Sequence, residues 1–276
     1  MDSFRRDGLT FDVRDAGPPG GEPVVLLHGF PQDSTAWDKV APGLHASGLR
    51  TLAPDQRGYS PMARPHGRSH YRLRETVEDV LALLDAAGLQ SAHVVGHDWG
   101  GAVAWGLGAW HPDRVRTLTA ISVPHPGAMA RAMVRSDQAL RSYYMGLFQL
   151  PVLPERLILS GDGAALRRML KRGGLPDTVA EHYVARMREP GALSAALGWY
   201  RALPWDGRDR VGTVRVPTLF VWSTGDAFLG RTAAEATGDF CAGPYRLVVL
   251  DDVTHWIPEL APDRVAELVT AHVRSA

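Results

Sequence analysis

Short hydrophobic runs alternate along the chain with stretches in which hydrophobic residues recur every three or four positions. The runs predict buried strands at residues 24–27, 91–95, 117–123, 218–222 and 246–250, a weaker strand at 51–54, and an edge strand at 9–15. The helical spacing predicts helices around residues 77–84, 102–107 and 265–273. Strands that alternate with helices are typical of the α/β class, in which helices cover both faces of a mostly parallel sheet.

Residues 125–210 interrupt this alternation. Their spacing predicts only helices, around residues 138–147, 164–171, 178–188 and 193–202. An all-helical stretch between two strands is best placed as a cap inserted over the carboxyl edge of the sheet. We therefore expect a core of residues 1–124 and 211–276, and a helical cap of residues 125–210.

Composition narrows the class of protein. The chain has 276 residues, 45% hydrophobic and 22% charged, as in an ordinary globular enzyme. The formal net charge of zero does not favour nucleic acid or an anionic membrane surface as a partner. Cys241 is the single cysteine, which excludes an internal disulfide and a multi-cysteine metal site. No signal-peptide pattern or membrane-length apolar run is present, so we expect a cytoplasmic protein; the sequence leaves a homodimer open.

Residues 96–101 read Gly-His-Asp-Trp-Gly-Gly and follow a predicted strand directly. A predicted helix comes next, so Asp98 lies at a strand-to-helix corner with glycines two positions before and after it. This pattern is the nucleophile elbow of G-x-S-x-G enzymes, with aspartate in place of serine. Gly96 and Gly100 are expected to be small because the strand and the helix nearly touch at such a corner.

An aspartate nucleophile restricts the chemistry. Its ordinary pKa of about 3.9 keeps it ionised at neutral pH without a neighbouring base. Attack on an ester or amide carbonyl would give an anhydride, whereas attack on a saturated carbon that carries a leaving group gives a simple ester. Water must then open that ester, and the water needs a general base.

Two later residues are candidates for activating the water. Enzymes with this elbow carry the nucleophile, the acid and the histidine in that order along the chain. Asp226 and His255 fit the order, and each comes just after a predicted strand. The carboxylate would hold the imidazole tautomer and stabilise the imidazolium. The backbone N–H groups of Trp99 and Phe30 are the expected oxyanion-hole donors.

Each of these residues has a structural interpretation when it is taken alone. Gly-x-Asp-x-Gly occurs in turns, Asp226 fits a turn or a helix cap, and an isolated histidine such as His255 is more often structural. We assign that structural role to His28, His93 and His97. The catalytic interpretation of Asp98, Asp226 and His255 rests on their combination in the right order, each after its own strand.

The leaving group decides between two reactions. A halide leaves with the help of N–H donors alone, whereas an epoxide oxygen leaves as an alkoxide and needs a proton donor. A tyrosine, with a pKa near 10, is suitable. Two segments of the predicted cap offer tyrosines: residues 143–151 (Tyr-Tyr-Met-Gly-Leu-Phe-Gln-Leu-Pro) and residues 198–201 (Gly-Trp-Tyr-Arg).

With these motifs the chain resembles the epoxide hydrolase family of the α/β-hydrolases over nearly its whole length. That family shows H-G-F-P, G-H-D-W-G-G, a cap tyrosine four positions before Phe-Gln, and a second tyrosine in W-Y-R. The resemblance implies an α/β-hydrolase fold and the conversion of a small apolar epoxide and water to a vicinal diol through a covalent aspartyl ester, without a cofactor. It implies Asp98 as nucleophile, Asp226 and His255 as the water-activating pair, and Tyr144 and Tyr200 as acids. Tyr143 is a rival to Tyr144, and the spacing to Phe148 favours Tyr144.

Other functions share parts of this pattern. Many haloalkane dehalogenases have H-G-N-P, whose asparagine helps hold the halide; here Phe30 stands at that position, although Trp205 or another cap tryptophan could substitute. Fluoroacetate dehalogenases place arginines after the nucleophile, and residues 99–105 contain none. A catalytically silent receptor would lack a triad residue or a tyrosine, and an esterase would carry a serine at the elbow.

Overall fold

The computed structural model describes residues 1–204 and 209–276, and its eight strands form one sheet. The strands lie in the order β1-β2-β4-β3-β5-β6-β7-β8. The two pairs made by β2 are antiparallel and the others are parallel. Their bounds are β1 Ser3–Arg6, β2 Leu9–Ala16, β3 Glu22–Leu27, β4 Leu49–Pro54, β5 Ala92–His97, β6 Val115–Ile121, β7 Thr218–Ser223 and β8 Tyr245–Leu250.

Helices cover both faces of the sheet. The core helices are α1 Ala41–Ala46, α2 Leu73–Ala86, α3 Trp99–Trp110, α10 Arg231–Ala236, α11 Ile257–Leu260 and α12 Pro262–Arg274. Val25 and Leu27 of β3 belong to a hydrophobic cluster shared with α2 and α3, whereas Val24 and Leu26 belong to the cluster shared with α1 and α12. Successive strand residues point to opposite faces, so an apolar run on both faces gives a sheet buried between two helix layers. The predicted α/β class is confirmed.

The prediction of an edge strand at residues 9–15 is wrong in one respect. Strand β2 pairs with β4 on one side and with β1 on the other, so β1 forms the edge. Strand β1 has only four residues, and Phe4 is its one buried side chain. Phe4 stacks on Phe11 of β2 with 4.6 Å between ring centroids. So short and polar a segment gives no hydrophobic pattern that the sequence alone would reveal.

Among the described residues between β6 and β7 there are six α-helices and no strand of the main sheet. Their bounds are α4 Pro126–Arg135, α5 Gln138–Arg141, α6 Tyr143–Phe148, α7 Leu153–Arg172, α8 Asp177–Arg188 and α9 Ala192–Ala202. The predicted helix at 138–147 is divided at Ser142 into α5 and α6. Helix α7 begins well before residue 164 and is interrupted at residues 160–163, whose backbone angles are not helical. Among the described residues, no helix combines the length and the apolar character needed to span a membrane.

Candidate active site

The elbow brings Asp98 out between the end of β5 and the start of α3. Its backbone has φ 51° and ψ −121°, a conformation that an L-residue adopts at a cost and that is frequent at active sites. The close approach expected at this corner is present, because a Cβ on Gly96 would overlap the carbonyl oxygen of Gly100. Only glycine fits there, so the turn aims the Asp98 side chain away from the sheet.

The three residues predicted to form a triad lie together at the carboxyl ends of the parallel strands. Asp226 follows β7, and His255 lies between β8 and α11. His255 Nε2 is 3.5 Å from Asp98 Oδ2, and His255 Nδ1 is 2.8 Å from Asp226 Oδ2. The other oxygen, Asp226 Oδ1, accepts hydrogen bonds from the backbone N–H groups of Phe228 at 2.7 Å and Leu229 at 3.0 Å. The acid is thus held by its own loop and orients the imidazole.

The predicted oxyanion-hole donors flank the nucleophile. The backbone N–H of Phe30 donates to Asp98 Oδ1 at 2.8 Å. Trp99 is the first residue of α3, and the first N–H groups of a helix have no partner within it. Both donors are therefore available to a negative oxygen on the carboxyl group of Asp98.

Electrostatic coupling sets the charges of Asp98 and His255. Burial opposes ionisation of Asp98, but the neighbouring His255 and the Phe30 N–H lower the pKa of that carboxyl below its ordinary value. Burial also lowers the pKa of the imidazole, yet Asp226 and Asp98 outweigh it and raise the pKa of His255 to about 10. At neutral pH these shifts favour an ionised aspartate beside a protonated histidine.

The two cap tyrosines lie beside each other near the elbow. Tyr144 of α6 and Tyr200 of α9 have ring centroids 6.1 Å apart. The ring of Tyr200 is 4.9 Å from that of Trp99 and 5.5 Å from that of Phe30. Tyr143, the rival to Tyr144, is 75% exposed. The two tyrosines that the resemblance indicated therefore lie close to the predicted oxyanion hole, whereas Tyr143 faces solvent.

Both tyrosines keep their protons. Burial and the charge of Asp98 raise the pKa of Tyr144, and Asp226 adds to the effect. Burial, followed by the neighbouring Tyr144 and Asp98, raises the pKa of Tyr200 well above its usual range. Two neutral hydroxyls near a carboxylate are suited to donate hydrogen bonds to an oxygen held between them.

Polar contacts join the two tyrosine-bearing helices. Gln149 Nε2 donates to the carbonyl of Tyr200 at 2.6 Å, and Arg201 Nε donates to the carbonyl of Phe148 at 2.9 Å. The guanidinium of Arg201 also pairs with Glu155 at 2.7 Å. The Gln of Phe-Gln and the Arg of Trp-Tyr-Arg therefore tie the end of α6 to α9.

Sequence reasoning missed a buried polar chain behind the histidine. Gln32 Oε1 accepts from the Gly29 N–H and contacts His97 Nδ1, both at 2.8 Å. His97 Nε2 contacts the carbonyl of His255 at 2.9 Å. Gln32 Nε2 donates to Glu259 at 2.7 Å. These contacts support the backbone around His255 and the H-G-F-P loop. Those made by His97 and Glu259 link residues far apart in the chain, so no local pattern indicates them.

Trp205, considered as a halide-binding substitute, lies outside the described residues.

Within the residues that the structure describes, no group of three or more His, Cys, Asp or Glu side chains is arranged to hold a metal ion.

Comparison with known proteins agrees with this architecture. The family model for the alpha/beta hydrolase fold matches residues 22–262. The AB hydrolase superfamily protein YfhM of Bacillus subtilis is 35% identical, over 98% of this chain and 96% of its own. Epoxide hydrolase A of Mycobacterium tuberculosis is 34% identical, over 94% of this chain and 92% of its own. The crystal structure of epoxide hydrolase A from Mycobacterium thermoresistibile superposes with a TM-score of 0.85 at 27% identity, over 99% of this chain and 97% of that one.

The sheet order, the elbow and the extent of the match define an α/β-hydrolase. The chain belongs to the epoxide hydrolases within that family, since one named member is more than 30% identical over nearly the full length of both chains. The resemblance inferred from the motifs is confirmed.

Proposed function

We propose that this protein converts an epoxide and water to a vicinal diol through a covalent ester on Asp98. The observation that carries the proposal is the pair of neighbouring tyrosine rings, half-buried Tyr144 and buried Tyr200, packed near the elbow that carries Asp98. Membership of the epoxide hydrolase family and the names of the relatives support the same reaction.

In the first half-reaction, Asp98 attacks one carbon of the epoxide and forms an ester bond as the carbon–oxygen bond of the ring breaks. Tyr144 and Tyr200 hydrogen-bond the departing oxygen, and one of them transfers its proton to it. An alkoxide would otherwise be a poor leaving group, which is why an acid is needed here.

In the second half-reaction, water attacks the carboxyl carbon of Asp98. Esterification removes the negative charge of Asp98, so the pKa of His255 falls from its raised value in the free enzyme. His255 then loses its proton, which restores the tyrosine that was deprotonated in the first half-reaction. The neutral imidazole accepts a proton from water, and Asp226 stabilises the imidazolium that results. The N–H groups of Phe30 and Trp99 face the tetrahedral oxyanion, and its collapse releases the diol.

The rings around the site favour a small apolar substrate. Phe228 lies between Tyr144 and His255, with ring centroids 5.7 Å and 5.2 Å away, and Phe148 lies 4.9 Å from Tyr200. We assign residues 125–210 to the cap that supplies this apolar cover. The cytoplasmic location and the absence of nucleic acid and membrane partners stay predictions, and a homodimer stays open to measurement.

A paired assay with styrene oxide and a bromoalkane tests the reaction class. Diol formation without halide release is expected. Halide release with inert epoxides would instead assign a dehalogenase, and the absence of both products across broad substrate panels would favour a receptor.

A single turnover in water enriched in heavy oxygen tests the mechanism. The isotope should enter the carboxyl group of Asp98, because water attacks the ester at its carboxyl carbon, and the diol should take its new oxygen from the protein. If the isotope appears in the diol and is absent from the peptide that contains Asp98, the covalent mechanism is wrong.

A further inference from the structure

Gln138, at the start of α5, has a fully buried side chain that contacts two separate parts of the site. Its Nε2 donates to the carbonyl of Phe228 at 2.7 Å, and its Oε1 accepts from the N–H of Gly230 at 2.8 Å. The same Nε2 donates to Ser142 Oγ at 3.0 Å. Both ends of the amide are occupied, so its orientation is fixed by its partners.

The first part held by Gln138 is the loop that carries Asp226. Phe228 donates its own N–H to Asp226 Oδ1, and its carbonyl is the group that Gln138 binds. The turn of residues 226–230 is therefore stabilised by hydrogen bonds with two side chains: Asp226, which belongs to the turn, and Gln138, which does not. The position of the Asp226 carboxylate, and with it the hydrogen bond to His255, depends on that turn.

The second part is α6, the helix that carries Tyr144. Ser142 immediately precedes α6, and Tyr144 is the second residue of that helix. The backbone N–H of Ser142 donates to the carbonyl of Gln138 at 2.9 Å, so backbone and side chain both join the two residues. A shift of Gln138 would move the start of α6 and the hydroxyl of Tyr144.

The ring of Phe228 lies where these two parts meet. It packs edge-on against Tyr144 at 5.7 Å and against His255 at 5.2 Å. The side chain of Gln138 holds the backbone of Phe228. It therefore influences the distance between Tyr144 and His255, which both pack against the Phe228 ring.

We propose that Gln138 is a positioning residue that couples Tyr144 to the Asp226–His255 pair, so that both half-reactions depend on it. The inference rests on the proposed function. A residue with a purely structural role would change only the stability of the protein, whereas Gln138 should change the rates measured on the folded enzyme.

The main test replaces Gln138 by leucine and measures both half-reactions with styrene oxide in single-turnover experiments. Q138L should lower the rate of ester formation and the rate of ester hydrolysis by about tenfold each, since small displacements of catalytic groups are costly. The pH profile of hydrolysis should also shift to lower pH, because a looser Asp226 raises the pKa of His255 less. Rates and profile equal to wild type, with only a lower melting temperature, would overturn the proposal.

Ser142→Ala separates the two parts. It removes only the contact toward α6, so ester formation should slow while hydrolysis keeps its wild-type rate. In a Tyr144→Phe background, Q138L should lower ester formation clearly less than in the wild type and should lower hydrolysis as before. Equal losses of ester formation in both backgrounds would show that Gln138 does not act through Tyr144.

Thr237→Val is the matched control. The Thr237 hydroxyl is fully buried and bonds the carbonyl of Ala233 and the N–H of His125, but neither contact involves residues 226–230 or α6. It should reduce stability and leave both rates unchanged.

If Q138L does not fold, Gln138→Glu keeps the shape and the acceptor for Gly230 but loses the donors, and both rates should still fall. A wild type that forms no ester on Asp98 would refute the proposed function, whereas an ester-forming wild type matched by the folded Gln138 variant would refute this inference alone.

Discussion

The carboxyl edge of the sheet and the helices between β6 and β7 hold their candidate functional groups in different ways. Asp98, Asp226 and His255 each lie just beyond the carboxyl end of a parallel strand, and hydrogen bonds connect them to each other or to the backbone. Tyr144 and Tyr200 lie on helices, and their rings are surrounded mainly by other aromatic rings. Hydrogen bonds fix the side chains of Asp98, Asp226 and His255 directly. Aromatic packing surrounds the rings of Tyr144 and Tyr200, and hydrogen bonds fix only the helices that carry them.

This difference follows from what each group must do. A nucleophile and a base must meet their targets at a defined angle, and hydrogen bonds lose strength steeply as that angle changes. Two phenol hydroxyls are proposed to bind the same departing oxygen, so the loss of one leaves a second donor in place. We therefore expect the loss of one tyrosine to lower the rate of ester formation only in part, and the loss of Asp98 to abolish it.

The largest effect is expected at the nucleophile. Asp98→Asn keeps the shape of the side chain but removes its charge, so turnover should fall by more than about 10⁴-fold. Diol formation from styrene oxide measures the loss, and mass spectrometry should find no ester on the variant. Substantial diol formation by a variant confirmed to retain asparagine would contradict the assignment of Asp98.

The two cap tyrosines should share their role. Each single change to phenylalanine should lower the rate of ester formation by about 10²-fold, and Tyr144→Phe combined with Tyr200→Phe by about 10⁴-fold, since each hydroxyl donates its own hydrogen bond to the departing oxygen. Circular dichroism should show an intact fold. Full activity in the double variant would show that the proton comes from elsewhere.

Loss of the proposed base, His255, should affect the two half-reactions differently. His255→Gln should still form the ester on Asp98 but should hydrolyse it about 10³-fold more slowly than the wild type. The ester should therefore accumulate, and its added mass is measurable on the intact protein. Rapid turnover without accumulation would exclude His255 as the base.

The smallest effect concerns pH and stability. The pKa of His255 rises from 6.5 to about 10 in the folded protein, so its ion pairing stabilises the fold fully below pH 6.5 and this contribution is lost as the pH rises through about 10. Asp98→Asn removes one of the two carboxylates, so the loss should occur at lower pH. An NMR titration of His255 should give a lower pKa in the variant than in the wild type, and an unchanged value would show that Asp98 contributes nothing to the shift.

Local patterns account for most of what could be predicted. The elbow around Asp98 and the buried strands before it are continuous in sequence, and the order of Asp226 and His255 follows from chain position. The spacing of Tyr144 from Phe148 distinguished it from Tyr143, and the structure places Tyr143 in solvent. Strand β1 and the division of α5 from α6 escaped prediction because short segments carry too few residues to show a period.

The sequence by itself determined the fold class and the family, and it indicated the candidate reactive groups, because each depends on residues that are close together or ordered along the chain. Only the tertiary structure showed how these groups are supported. Gln138 binds Phe228 from 90 positions away, and Gln32 binds Glu259 from 227 positions away. Contacts at such separations exist only after the sheet and the helices have packed, so the partners of a buried amide are decided by the folded chain rather than by any pattern along it.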